Sequence, residues 1–351
     1  MICDAETLEL SPGIERILDA LPDGLPGQVK PELHQSFLEV ATKPCKDVAE
    51  AGTQLRELRR TVRETASGLD LAIGAAATHP SALYEEQAIV DRPRYTELID
   101  ELRWIARREL IFGAHIHIGM DHPDKAIYVA DGLRGYVPLL LGMSTNSPFW
   151  RGRATGMMSS RTPVFRAFPR VGVPPYYGSW EIYSHRVEMM MRGGAIDDYT
   201  FLWWDVRPHP NLGTVELRVF DQQTRVDYTI GFAALAQCLA HRLAGRYDDG
   251  VPSVEHPWEL IDDNKVRAAV VGIEGKLIDF DRGIEVEAFE IALALIDDLR
   301  EHAQELGCEA ELACLAELIE QGTGARRQLD WYSAHGDMPG LMREIIDASE
   351  P

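Results

Sequence analysis

Long apolar runs, paired cysteines, a basic surplus and low-complexity tracts are all missing from this 351-residue chain, and each absence removes a class of protein. No apolar run reaches the length that spans a bilayer, and no charged-then-apolar leader opens the chain, so a cytoplasmic protein without a membrane partner is expected. The five cysteines, Cys3, Cys45, Cys238, Cys308 and Cys314, are odd in number. None shows the short paired spacing of a zinc or redox motif, which leaves reduced, buried thiols. A net charge of -21 and a pI near 4.9 repel polyanions, so nucleic acid is excluded as the main partner and small-molecule chemistry is expected instead. With 45% hydrophobic and 26% charged residues the chain can bury a full core. No Ser/Gly/Pro-rich linker divides it, so one domain over 1–351 is expected.

Periodicity supplies the elements that are present. A helix is expected from Ile14, Ile17, Leu18 and Leu21, opened by Ser11-Pro12-Gly13 and closed by Pro22-Asp23-Gly24. Val29 to Thr42 has strand composition. A second helix runs through Val48, Leu55, Leu58 and Val62, and Leu71 to Thr78 follows as a buried strand. Leu98, Ile99, Leu102 and Ile105 mark another helix, and Ile111 to Met120 another strand. From Asn146 to Tyr177, five prolines break the pattern into a long loop, which in a compact domain usually carries function. Strands from Tyr199 to Arg207 and Gly213 to Asp221 read as a hairpin turning at Pro208 to Leu212. Helical segments around Ile230 to Leu243, Val286 to Leu299 and Leu312 to Ile319 complete an α+β protein with a largely antiparallel sheet.

Strand alternation singles out chemistry in two places. In Ile111 to Met120 one face is Phe112, Ala114, Ile116, Ile118 and Met120, and the other is Gly113, His115, His117 and Gly119. Two imidazoles flanked by glycines suit a cavity wall where metal or phosphate approaches the backbone, or else are a pair of satisfied strand histidines. In Gly213 to Asp221, Val215, Leu217 and Val219 share the apolar face, and Thr214, Glu216 and Arg218 the other. That carboxylate and guanidinium form either a metal-nucleotide site or an ion pair across the sheet. Glu216→Gln is expected to spare the fold, since it removes one charge from a polar face and no apolar volume.

Two further stretches are read from charge and alternation. Between Gly132 and Trp180 there is no Asp or Glu, yet Arg134, Arg151, Arg153, Arg161, Arg166 and Arg170 lie there. This cationic island points to an anionic substrate, or to a solvated loop or a subunit contact supported by Phe149, Trp150, Phe165 and Phe168. In Glu32 to Thr42, alternation separates Glu32 from Glu39 unless a bulge or bend intervenes. Gly322 to Arg327 reads as a helix C-cap and turn.

Together these stretches resemble the bacterial glutamate-cysteine ligase type 2 family, carboxylate-amine ligases of the YbdK type. The resemblance is carried by Glu-Leu-His-Gln-Ser-Phe-Leu-Glu-Val-Ala-Thr at 32–42, Gly-Ala-His-Ile-His-Ile-Gly at 113–119 and Asn-Ser-Pro-Phe-Trp-Arg-Gly-Arg-Ala-Thr-Gly at 146–156. Trp-Trp-Asp-Val-Arg-Pro at 203–208, Thr-Val-Glu-Leu-Arg-Val-Phe-Asp at 214–221 and Gly-Thr-Gly-Ala-Arg-Arg-Gln at 322–328 continue it in family order.

The resemblance implies a glutamine-synthetase-like catalytic fold, an antiparallel sheet funnel flanked by helices that holds ATP with Mg²⁺ or Mn²⁺. By position it implies metal ligands at Glu39, His115 and Glu216, with Glu32 a fourth. It implies Arg218, alongside Glu216, as the catalytic pair, and substrate or ATP contacts from His117, Arg151, Arg153, Arg161 and Arg218. The implied reaction joins a small carboxylate to an amine through an acyl phosphate, in a homodimer. Glutamate and cysteine are its default substrates. It also implies an opening strand of the form Gly-Val-Glu-Glu-Glu before Ile2 to Leu10, which this sequence does not contain. A metal-dependent hydrolase and a non-catalytic nucleotide-binding homologue remain as alternatives.

Overall fold

A computed structural model describes residues 1–350. The first half interleaves short strands with helices: β1 (Ile2–Asp4), α1 (Ile14–Ala20), β2 (Gly27–Pro31), β3 (Leu38–Thr42), α2 (Val48–Ser67), β4 (Leu71–Ile73), α3 (Pro93–Leu102), α4 (Trp104–Arg107), β5 (Ile116–Gly119), α5 (Pro123–Arg134) and α6 (Val137–Ser144). The loop region contributes β6 (Phe149–Trp150), β7 (Arg153–Ala154), α7 (Arg161–Phe165) and β8 (Val171–Gly172). After it come α8 (Trp180–Arg192), β9 (Trp203–Trp204), β10 (Val206–His209), β11 (Thr214–Leu217), α9 (Val226–Asp248) and α10 (Trp258–Val271). The chain closes with β12 (Lys276–Asp279), β13 (Ile284–Glu287), α11 (Ala288–Asp298), α12 (Arg300–Leu306), α13 (Glu309–Gln321), α14 (Gly324–His335) and α15 (Met338–Ala348).

The α+β reading holds, and among the described residues every strand pairing is antiparallel except β8 with β9. The strands form several small sheets, the largest being three-stranded in the order β10-β11-β5. All five expected strands are shorter or more broken than their composition suggested. Ile111 to Met120 is strand only at Ile116–Gly119, and Gly213 to Asp221 only at Thr214–Leu217. Tyr199 to Arg207 opens on a helical turn at Tyr199–Phe201 before β9 and β10. Val29 to Thr42 is a hairpin, β2 with β3, turning through residues 32–37, and only Leu71 to Ile73 of the next apolar run is strand.

α9 is the axis of the largest apolar cluster. Val226, Ile230, Phe232, Leu235, Leu239 and Leu243 are buried on several sides of it, as a central helix requires. Each such side chain contributes about 2 kcal/mol by leaving water. α5, α6, α10, α11 and α13 contribute to the same cluster, and all eight residues of α6 are buried. The apolar faces of β5 and β11, through Ile116, Val215 and Leu217, also pack there. Their polar faces are therefore turned the other way. α2 starts at Asp47, whose carboxylate accepts from the Glu50 amide, while Glu50 reaches back to the Lys46 amide. No helix is long and apolar enough to cross a membrane.

Candidate active site

Antiparallel register lines up His117 of β5, Glu216 of β11 and Arg207 of β10 as direct cross-strand partners. Side chains opposite one another across a ladder touch, and here they do. Glu216 is 1% exposed, and one of its carboxylate oxygens accepts from Arg207 at 2.6 and 2.7 Å. The other accepts from Arg218 at 2.5 Å and lies 3.6 Å from His117 Nε2 and 3.8 Å from His115 Nδ1. Burial alone would raise this carboxyl. Arg218 first, then His115, Arg207 and His117, overcome it and hold Glu216 far below the usual carboxylate range. Burial, with Arg218 next to it, pushes His115 well down, and burial also lowers His117. Both imidazoles are neutral near pH 7, the form that can accept a proton or ligate a cation.

Arg207 carries no role in the sequence reading beyond the matched Trp-Trp-Asp-Val-Arg-Pro segment. The reason is the hairpin register. The turn lies at Pro210 to Gly213, with Gly213 in the left-handed region at φ 63°, so Pro208 and His209 belong to the strand. β10 is an edge strand, where a proline is tolerated. Arg207 is further fixed by donating to the carbonyls of Thr200 and Leu202 at 2.8 and 2.9 Å. Arg218 differs. Its Nε is buried with no hydrogen-bond partner among the described residues, and one terminal nitrogen lies 3.5 Å from His115 Nδ1.

Three more carboxyls lie within electrostatic reach of this cluster. The β2–β3 hairpin pairs Lys30 with Glu39 and Pro31 with Leu38, which brings Glu32, one residue past the strand end, beside Glu39. Of the bulge or bend that alternation requires, it is the bend, a chain reversal between β2 and β3, that unites them. Burial, then repulsion from Glu39 and a hydrogen bond shared with it, push Glu32 up to about 7, with Arg218 and Arg94 opposing. Glu109, which no sequence signal marked, follows the same logic. Burial and then Glu32 push it up to about 8, against Arg218 and Arg161. Glu109 sits in a non-repetitive turn just after α4, where periodicity says nothing about direction. Glu32 and Glu39 share a hydrogen bond, and a carboxyl pair of this kind supplies the oxygen donors that a hard divalent cation prefers. Glu216 fits less well as a ligand, because both its oxygens already accept from arginine.

The arginines of the long loop do not converge on this cluster as a group. Arg161 is buried and donates to the carbonyls of Arg218 and Val219 at 3.0 and 3.1 Å, with Asp221 at 3.8 Å. Its guanidinium lies so close to Gly113 that a Cβ there would stand 2.5 Å from it. The glycine beside the histidines is thus required by Arg161. Arg151 pairs with Glu85 at 3.0 Å, Arg166 takes Asp262 through two bonds of 2.8 Å, and Arg134 donates to the Pro174 carbonyl. Arg170 donates to the Phe201 carbonyl. Arg153 is exposed and makes no ion pair among the described residues. Phe149 and Phe168, a possible subunit contact by sequence, are buried against Tyr332 and Trp203.

Asp221 explains why the loop holds its course. It accepts from the Asn146 amide at 2.9 Å and from Ser147 and Ser159 at 2.7 and 3.0 Å. Asn146 in turn accepts from Gln328 at 2.7 Å. The loop, the end of the β11 segment and the start of α14 are tied by one buried polar network. Gly322 caps α13 as expected, but Gly324 to Arg327 are not a turn: they open α14, whose N-cap Thr323 accepts from the Arg326 amide.

A sequence model of the Glutamate-cysteine ligase family 2 (GCS2) matches residues 3–346. The chain belongs to this family. It is 41% identical over 350 residues to a Rubrobacter xylanophilus protein named "Putative glutamate--cysteine ligase 2-1", covering 100% of this chain and 93% of that one. A Sorangium cellulosum relative named "Putative glutamate--cysteine ligase 2" is 36% identical over 350 residues, covering 99% and 93%. Among solved structures, a glutamate–cysteine ligase from Francisella tularensis in complex with AMP superposes with a TM-score of 0.70 at 14% identity. That match spans 100% of this chain and 87% of that one. A bifunctional glutathione synthetase from Pasteurella multocida gives 0.62 at 15%, covering 93% of this chain and 47% of that one. The GCS2 chain therefore shares the ligase fold of these structures.

Proposed function

We propose that this GCS2 member is an ATP-dependent carboxylate-amine ligase, working through an acyl phosphate, with glutamate and cysteine as its default substrates. The observation that carries the proposal is Arg218, whose buried Nε has no hydrogen-bond partner and whose charge acts on Glu32, Glu109, His115 and His117. Family membership and the fold shared with a ligase described in complex with AMP support nucleotide use.

In the proposed reaction, a substrate carboxylate oxygen attacks the γ-phosphorus of ATP while the bond to the β,γ-bridging oxygen breaks and ADP leaves. The amine then attacks the acyl carbon, the C–O bond to phosphate breaks, and phosphate departs as the amine loses a proton. Arg218 supplies a planar fork to phosphoryl oxygens as their charge redistributes, and Arg207 with Glu216 fixes its angle. A neutral His115 or His117 can take the proton the amine gives up. Mg²⁺ or Mn²⁺, when bound, would neutralise phosphate charge, and Glu32, Glu39 and Glu109 are the carboxyls that would hold it with His115. Arg153, exposed on the loop, is available to a substrate anion, whereas Arg151 and Arg161 would first have to release their present partners. The proposal extends to a homodimer, which the resemblance implies, and to a cytoplasmic location.

The test is ATP turnover with Mg²⁺ over a panel of carboxylates and amines, with hydroxylamine added to trap an acyl phosphate as its hydroxamate. ADP release that depends on a carboxylate, with hydroxamate formed, is expected. Nucleotide binding without turnover on any pair would mark a non-catalytic homologue, and substrate cleavage without ATP a hydrolase. Either result sinks the proposal.

A further inference from the structure

Away from that cluster, His241 of α9 faces His302 and Glu305 of α12. The two histidine Nδ1 atoms are 3.1 Å apart, and Glu305 Oε2 is 3.8 Å from His241 Nδ1. One ligand atom from each of the three residues lies within 4.8 Å of the others. His302 and Glu305 are three residues apart on one helix and so point from the same face. The backbone beneath them is fixed: Ala303 is buried, and Cys238, one turn before His241, touches Cys308 at 3.7 Å just past the end of α12. The rings meet edge-on, with an interplanar angle of 77°, so their nitrogens and not their faces approach.

We propose that His241, His302 and Glu305 form a surface site for a borderline divalent transition ion such as Zn²⁺, clipping α12 to α9. A single hydrogen bond also satisfies two imidazoles at this distance, but it leaves the carboxylate's approach to the same point unexplained. Zn–N bonds of about 2.0–2.1 Å set two tetrahedral ligands about 3.3 Å apart, close to the spacing observed. Two nitrogens and one oxygen favour Zn²⁺ and its neighbours over Mg²⁺ or Ca²⁺, which prefer oxygen alone. Three protein donors leave the remaining coordination to water, consistent with the exposure of His241 and Glu305.

The experiment is calorimetric titration of the full chain with Zn²⁺ in excess Mg²⁺, comparing wild type with H241Q/H302Q. Any uptake by the His115 and His117 cluster is common to both proteins and cancels. Wild type is expected to take up one equivalent more than the double variant. Co²⁺ should give it a ligand-field absorption band that the variant lacks. E305Q should retain the equivalent with affinity reduced on the order of tenfold. Equal stoichiometry in wild type and H241Q/H302Q overturns the site. Should the double variant misfold, E305Q and H241Q, both at exposed positions, decide the question: unchanged Zn²⁺ affinity in both overturns it equally.

Discussion

Glu216 and Glu109 are the same residue type under the influence of the same Arg218, and their carboxyls are driven in opposite directions. Glu216 stands on a central strand whose register delivers Arg207 from β10, while Arg218 reaches it from two residues further along its own segment, so it stays ionised despite near-total burial. Glu109 comes from a turn and meets Glu32, so burial and repulsion act together and raise it to about 8. Burial sets the size of the penalty in both cases. The neighbour's charge decides whether it is repaid.

Breaking the caged side of this pair should have the largest effect. Glu216→Gln leaves Arg207 and Arg218 buried against a neutral amide, so turnover should vanish and stability fall by about 3–5 kcal/mol, the usual loss when one partner of a buried pair goes. This replaces the expectation that Gln would spare the fold. Thermal unfolding with an activity assay checks it, and unchanged values for both would remove Glu216 from the site.

Arg218→Lys asks which partner of Glu216 does chemistry. The charge remains and the fork is lost. Turnover should drop about 100-fold while ATP affinity changes by less than about threefold. Loss of affinity alone would make Arg218 a nucleotide anchor.

The smallest effect belongs to the crowded side. A folded pKa raised above the unfolded value means stability is full below the unfolded value, 4.5 for a carboxyl, and is lost as pH rises through about 8. Metal-free Glu109→Gln should therefore unfold at nearly the wild-type temperature at about pH 5. At about pH 8.5 it should unfold a few degrees above wild type, on the order of 3 °C. Adding Mg²⁺ should close that gap by stabilising the wild type. A difference that stays flat with pH would show that Glu109 is not buried among like charges.

Much of the strand chemistry was legible because alternation has a period of two and needs no tertiary information. His115, His117, Glu216 and Arg218 lie on polar faces, and Ile116, Val215 and Leu217 on buried ones, as the sequence predicts. Arg161 shows the opposite case. Its place in a cationic stretch suggested a ligand contact, yet its donors go to backbone carbonyls and to Asp221. Charge along a sequence does not reveal which arginines are already satisfied.

The sequence by itself determined the secondary-structure class, the polar faces of β5 and β11, and membership of the family whose motifs it carries. Tertiary structure alone decided that Arg207 reaches Glu216, that Glu32 meets Glu39 across a chain reversal, and that Glu109 joins them. Side-chain direction within one strand follows from local backbone geometry. Proximity between elements depends on register, turn position and packing, and one residue of shift at the β10–β11 turn would send Arg207 to the other face.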